Sequence, residues 1–167
     1  GLMQAVLGEP LSWEALTTDW FARGDAPAAR AALDAVLRFC LLSGYDFVWA
    51  WTGLHFPRTN FQVSGDTAAA SNWLSGVRIW QDETTGPIQS WADFEAYPWP
   101  QAAHVSYRGI EYLNSVVPDG MKISVTVSGI FENSSWLMGL QPFSYALADQ
   151  PDLVAAICQR VGDLTAA

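Results

Sequence analysis

Apolar residues recur at helical spacing over 28–43, where Leu33, Val36, Leu37, Cys40 and Leu41 form one stripe that stops at Gly44. This spacing predicts a helix laid on a sheet, with Asp25 as its cap and Pro27 in its first turn. Residues 47–51 (Phe-Val-Trp-Ala-Trp) then run without polar alternation, the pattern of an interior strand covered on both faces in a parallel sheet. Residues 62–75 are polar and Ala-rich, and read as a surface helix or an excursion loop. Residues 76–83 alternate, and Thr84-Thr-Gly-Pro87 offers a turn before 88–90, which predicts an antiparallel hairpin. Ser90-Trp-Ala-Asp93 has the form of a capping box and predicts a short helix to about Ala96, broken by Tyr97-Pro-Trp-Pro100. A helix over 102–116, carrying Val105, Ile110, Leu113 and Val117, leads through Pro118-Asp-Gly120 to a strand over 122–127. Asn133, Ser134 or Ser135 is the expected cap of the next helix, which Gly139 and Pro142 interrupt. Pro151 opens a last helix over 152–166.

The order of elements points to an α/β fold, and composition agrees. Half of the 167 residues are hydrophobic and 15% are charged, enough to build a core and too few charges for disorder. Nine Trp is high usage, and the rings suit core packing or pocket walls. A formal charge of −9 without a basic cluster repels phosphate backbones and argues against nucleic acid as a partner. No apolar run reaches the roughly 20 residues that span a bilayer, and no signal-peptide pattern opens the chain, so no membrane partner is expected and the cytoplasm is the default location. Cys40 and Cys158 fall within helical apolar patterns, as packed reduced thiols do, with no metal-ligand spacing around them.

Candidate chemistry gathers where strands run into polar loops, since the carboxyl ends of parallel strands are where α/β proteins usually place it. His55, after the first strand, is a candidate acid or base, or else a solvated loop residue. Arg58 can clamp an anionic group as a planar fork, or serve as an exposed salt-bridge partner. Glu132, after the second strand, suits general base work or cation binding, and equally suits the positive end of the helix dipole that follows it. Trp51, Thr52 and Phe131 flank the same strand ends and complete the candidate substrate-binding set. His104, Asp82 and Glu83 read as surface or packing residues.

Four blocks carry a family resemblance: Ser43-Gly-Tyr-Asp-Phe-Val48, Gly86-Pro-Ile-Gln-Ser-Trp-Ala-Asp-Phe-Glu-Ala-Tyr-Pro-Trp-Pro100, Ser128-Gly-Ile-Phe-Glu132 and Leu147-Ala-Asp-Gln-Pro-Asp-Leu-Val154. Together they make the chain from Ala28 onward resemble the uroporphyrinogen decarboxylase superfamily. The resemblance implies a (β/α)8 TIM barrel of about 250 residues or more. These 167 residues would be its amino-terminal portion, a single truncated domain with an inserted β-hairpin. It implies a small-molecule substrate, a tetrapyrrole for a cofactor-free decarboxylase or a corrinoid for a methyltransferase of the same superfamily. It implies no cofactor in this chain, with zinc held by the other half in the methyltransferase case. A homodimer is an assembly open to the full-length protein. Two features depart from the decarboxylases: residues 1–23 lack their Arg-rich carboxylate-gripping block, and Trp51-Thr52-Gly53 stands where they carry an Asp in a Phe-Ser-Asp context. A non-catalytic α/β binding module that keeps the barrel frame is therefore retained as an alternative.

Too few strands are predicted to close a barrel, so Val48, Ile123, Val125 and Leu153 are expected near an open sheet edge or an uncovered apolar surface, favouring association of the isolated chain.

Overall fold

The structure, a computed structural model, describes residues 2–8, 26–65 and 77–167. Among these residues there are seven α-helices and two small sheets, a mixed α/β architecture with no closed barrel. The chain divides into two compact units. One comprises 1–53 and 105–127, and the other 54–104 and 128–167.

In the first unit, α1 (Leu2–Leu7) precedes α2 (Ala26–Leu42), β1 (Phe47–Trp51), α4 (Arg108–Val116) and β4 (Lys122–Thr126). The stripe read from the sequence is the buried face of α2: Leu33, Val36, Leu37 and Cys40 join Val48, Ala50, Leu113 and Met121 in one core. Leu41 belongs to the stripe by spacing but is 48% exposed. The Asp25 cap lies outside the described residues. Gly44 ends α2 at φ +75°, a conformation that costs an L-residue about 1–2 kcal/mol. The Tyr45 N–H donates to the Cys40 carbonyl (2.9 Å) and the Gly44 N–H to that of Leu41 (3.2 Å), so the last turn closes as a Schellman motif.

β1 and β4 pair in parallel from Phe47↔Lys122 to Trp51↔Thr126, and the Thr52 N–H extends the ladder to the Thr126 carbonyl at 3.2 Å. Parallel neighbours require a crossover, which here contains all of 52–121. The expectation that β1 is covered on both faces needs correction. Val48 and Ala50 are buried, but Phe47 is 37% exposed and β1 has one strand partner among the described residues. Val125 is exposed, as expected for an open sheet, and Ile123 is half-buried. Val48 and Leu153 depart from that expectation, because helices bury both completely.

In the second unit, β2 (Phe61–Gly65) pairs antiparallel with β3 (Val77–Gln81), from Phe61↔Gln81 to Gly65↔Val77. The hairpin predicted over 76–90 therefore has a different partner. β3 pairs with a strand that overlaps the start of the stretch 62–75 read as helix or loop, and residues 66–75 of that stretch lie outside the described residues. The apparent turn at 84–87 has another task. It crosses the junction between α5 (Ile130–Met138) and α6 (Leu140–Asp149), where the Ile88 N–H donates to the Leu137 carbonyl (2.9 Å) and the Gln141 N–H to that of Glu83 (2.9 Å). Leu137, Met138 and Phe143 pack there with Ile88, and with Leu153, Ile157 and Val161 of α7 (Pro151–Ala166).

The expected cap for α5 is also corrected. Gly129 begins that helix, and Asn133, Ser134 and Ser135 lie buried inside it. Asn133 Nδ2 and Ser135 Oγ bond back to the Gly129 and Glu132 carbonyls, the local alternative open to short polar side chains. The helix expected over 102–116 is shorter, a 3-10 turn at Ala102–His104 followed by α4.

The box at Ser90 is present. It starts α3 (Trp91–Ala96), the Asp93 N–H donates to Ser90 Oγ (3.3 Å), and the Asp93 carboxylate accepts from Ser90 Oγ (2.8 Å) and from the Gln89 N–H (3.0 Å). Asp82 forms a similar knot with Thr84 and Gln62. Hydrogen bonds from Ser90 and Thr84 respectively hold Asp93 and Asp82 below the ordinary carboxylate range. A depressed folded pKa stabilises the fold fully above the unfolded value of about 3.9, and the contribution disappears as pH falls through the folded value. Loss of stability should therefore begin below about pH 4. The Ser90→Ala variant should lose about 1 kcal/mol at neutral pH and show a shallower acid decline. Urea unfolding at pH 7 and at successively lower pH would check both, and an identical decline in the variant would refute the assignment.

No helix among the described residues is long and apolar enough to cross a membrane.

Candidate functional site

The two strands end side by side at Trp51 and Thr126, and the Val127 side chain lies 3.8 Å from where a Cβ on Gly53 would stand. Thr52, at this end of the sheet, keeps a buried Oγ1 without a hydrogen-bond partner among the described residues. The chain then continues from each strand into the second unit, at Leu54 and at Ser128. That unit holds the other four candidates, His55, Arg58, Phe131 and Glu132.

Arg58 is the centre of the arrangement. Its guanidinium carbon lies 4.2 Å from the centre of the Trp136 ring and 5.5 Å from that of Phe61. Nη1 donates to Gln81 Oε1 at 3.1 Å, and Gln81 in turn donates from Nε2 to the Trp136 carbonyl at 3.3 Å. This chain of contacts fixes the plane of the cation. Nε is buried and has no hydrogen-bond partner among the described residues. Burial is the largest influence on Arg58 and lowers its pKa, while Tyr97 and Glu132 act in the opposite direction. Tyr97 can do so only when ionised, and burial raises its phenol well above the usual value of 10. At neutral pH the relevant negative group is therefore Glu132. The Tyr97 hydroxyl is used locally, donating to the Pro57 carbonyl at 2.8 Å.

Geometry and magnitude agree on why the cation tolerates this place. Stacking on an aromatic face contributes roughly 0.5–2 kcal/mol, more as water is excluded, and one charge-assisted hydrogen bond contributes about 1.5–3 kcal/mol. Both offset the desolvation of a half-buried guanidinium. They do not satisfy it, because a guanidinium has five N–H donors and the described residues provide an acceptor for one.

Glu132 lies in the first turn of α5, exposed, where the helix dipole favours a carboxylate. Its place at the helix end fits one of its two sequence readings, and its charge also acts on Arg58. Phe131 is 62% exposed and contacts Phe143 edge-on, with ring centres 5.7 Å apart. His55 is exposed and makes no hydrogen bond or ion pair among the described residues. Arg58 and Glu132 thus act on each other through charge, with no hydrogen bond or ion pair between them among the described residues, and His55 stands outside their contacts.

Sequence reasoning missed Trp136, Gln81 and Tyr97. For Trp136 a signal existed. It stands four residues after Glu132, so a helix starting at Ile130 presents both on one face. Gln81 and Tyr97 come from distant segments and carried no such sign.

Among the described residues, no three His, Cys, Asp or Glu side chains gather as a metal site. Cys40 is buried, which pushes its thiol up, and Cys158 is half-buried; both are free. Set against family models, curated proteins and solved structures, the chain finds no match in any of the three.

Proposed function

We propose that the chain is the amino-terminal part of a uroporphyrinogen decarboxylase-like barrel enzyme in which Arg58 holds a carboxylate of a small-molecule substrate, a tetrapyrrole being the leading class. The observation that carries this reading is the state of the guanidinium, which is half-buried, stacked on Trp136, fixed by Gln81, and left with a buried Nε–H that has no partner among the described residues. Unpaired buried donors are rare, and a bound oxyanion is a ligand that would satisfy one. A chain of charge −9 repels anions at long range, so recognition of a carboxylate depends on such a local cation.

The parallel pair β1–β4, divided in sequence by an excursion that holds an antiparallel pair and α3, is the order a barrel of this family implies. In this reading Arg58 takes over the carboxylate contact that decarboxylases make through an amino-terminal Arg cluster, which residues 1–23 lack. Glu132 is the carboxylate available for proton transfer or for orienting Arg58, and His55 is the second candidate acid or base.

A non-catalytic binding module is a second reading with a specific observation in its favour. The two groups at this site that burial perturbs are Arg58 and Tyr97, and a guanidinium and a phenol keep their protons at neutral pH, unlike a working acid or base.

Turnover of uroporphyrinogen by the full-length protein separates the two. The enzyme reading predicts that Arg58→Lys, which keeps the charge and loses the fork, lowers kcat/KM by about tenfold to a hundredfold, equivalent to roughly 1.4–2.7 kcal/mol. Glu132→Gln and His55→Ala should lower kcat with little change in stability. Unchanged turnover in both would remove those residues from the site, and no turnover by the wild type would leave the binding module.

A further inference from the structure

We propose a second site, apart from Arg58, that takes a short aliphatic ammonium ion in the cleft between α6 and the segment 84–89. The cleft has a volume of about 350 Å3, within the range of small-ligand sites. Met138, Pro142 and Ala146 supply its apolar lining, and Met138 and Ala146 are both buried. Asp149 is the one charged residue in the lining, which includes no Lys, Arg or His.

A second, independent feature also selects a donor. Gln89 lines the cleft, and its Nε2 donates toward the backbone carbonyls of Met138 (2.6 Å), Ile88 (3.0 Å) and Gly86 (3.2 Å). Three acceptors around the NH2 fix the orientation of the amide, so the group it has left for a ligand is the Oε1 acceptor. The Asp149 carboxylate and this oxygen favour a ligand rich in N–H donors and carrying positive charge. Tyr145, 63% exposed, also lines the cleft and adds an aromatic ring to it, and the apolar lining suits a chain of a few methylenes. The net charge of −9 draws cations toward the surface but cannot select this place, which is why the local acceptors matter.

The test is an NMR titration of the full chain with n-butylammonium chloride at 150 mM salt, with n-butanol as the uncharged control of equal length. Saturable shifts centred on Asp149, Gln150 and the Gln89 side-chain amide are expected. The midpoint should weaken at least tenfold in Asp149→Asn and several-fold in Tyr145→Leu, both at exposed positions, while the remaining spectrum is preserved. Equal binding of n-butanol, equal binding by Asp149→Asn, or unsaturable shifts spread over the acidic surface would each overturn the proposal.

Discussion

Gly86→Ala should cost about 3 kcal/mol, the upper end of what overpacking exacts. The residue sits where the segment 83–89 crosses the end of α5, and a Cβ there would lie 2.5 Å from the Met138 carbonyl carbon and 2.6 Å from that of Leu137. Neither can yield as a flexible side chain would, because both are backbone atoms. The last carbonyls of a helix lack partners within it, and this crossing segment supplies them through the Ile88 N–H to Leu137 and Gln89 Nε2 to Met138. Displacing the segment to admit a methyl group would break those bonds together. Gly139 faces the same approach from the other side, at φ +86° with its would-be Cβ 2.7 Å from the Thr85 nitrogen. Gly139→Ala should therefore be comparably damaging, and the two losses should not add, since either opens the same crossing. Urea unfolding reads both, and a loss under 1 kcal/mol for Gly86→Ala would mean the segment is not held as described.

Leu153→Ala should cost roughly 3 kcal/mol, within the range of about 2–5 kcal/mol for emptying a packed core site. Leu153 is fully buried on α7 and packs in a cluster with Leu137, Ile157 and Val161, so little room exists for the neighbours to collapse into the gap. The control is Leu147→Ala on α6, where the side chain is 57% exposed and the change should stay within about 0.5 kcal/mol. Equal midpoints for the two variants would contradict the core assignment.

Local signals made several elements readable. The Ser90 box, the Gly44 stop and Pro151 at the start of α7 each act within a few residues, where backbone chemistry alone decides. The errors arose where a local signal served a distant contact. Thr84-Thr-Gly-Pro87 looks like a hairpin turn, yet Gly86 is needed for close approach to α5, and the partner of β3 lies upstream. Asn133 to Ser135 look like a cap, but polar side chains that can bond their own helix backbone are tolerated inside it. The step from Val105 to Ile110 is five residues, off the helical repeat, and α4 begins within it, at Arg108. At the site, a cation following a strand was legible as Arg58. Its setting was not, because Gln81 and Tyr97 are brought in by tertiary packing, and only Trp136 had a sequence relation to Glu132.

Binding of uroporphyrin, a stable tetrapyrrole polycarboxylate, tests the central claim most directly, with the protein's tryptophans as the fluorescence reporter. The account predicts saturable quenching by uroporphyrin whose midpoint weakens at least tenfold in Arg58→Lys, with cooperative unfolding retained. The absence of saturable quenching, or quenching that Arg58→Lys leaves unaltered, would contradict it.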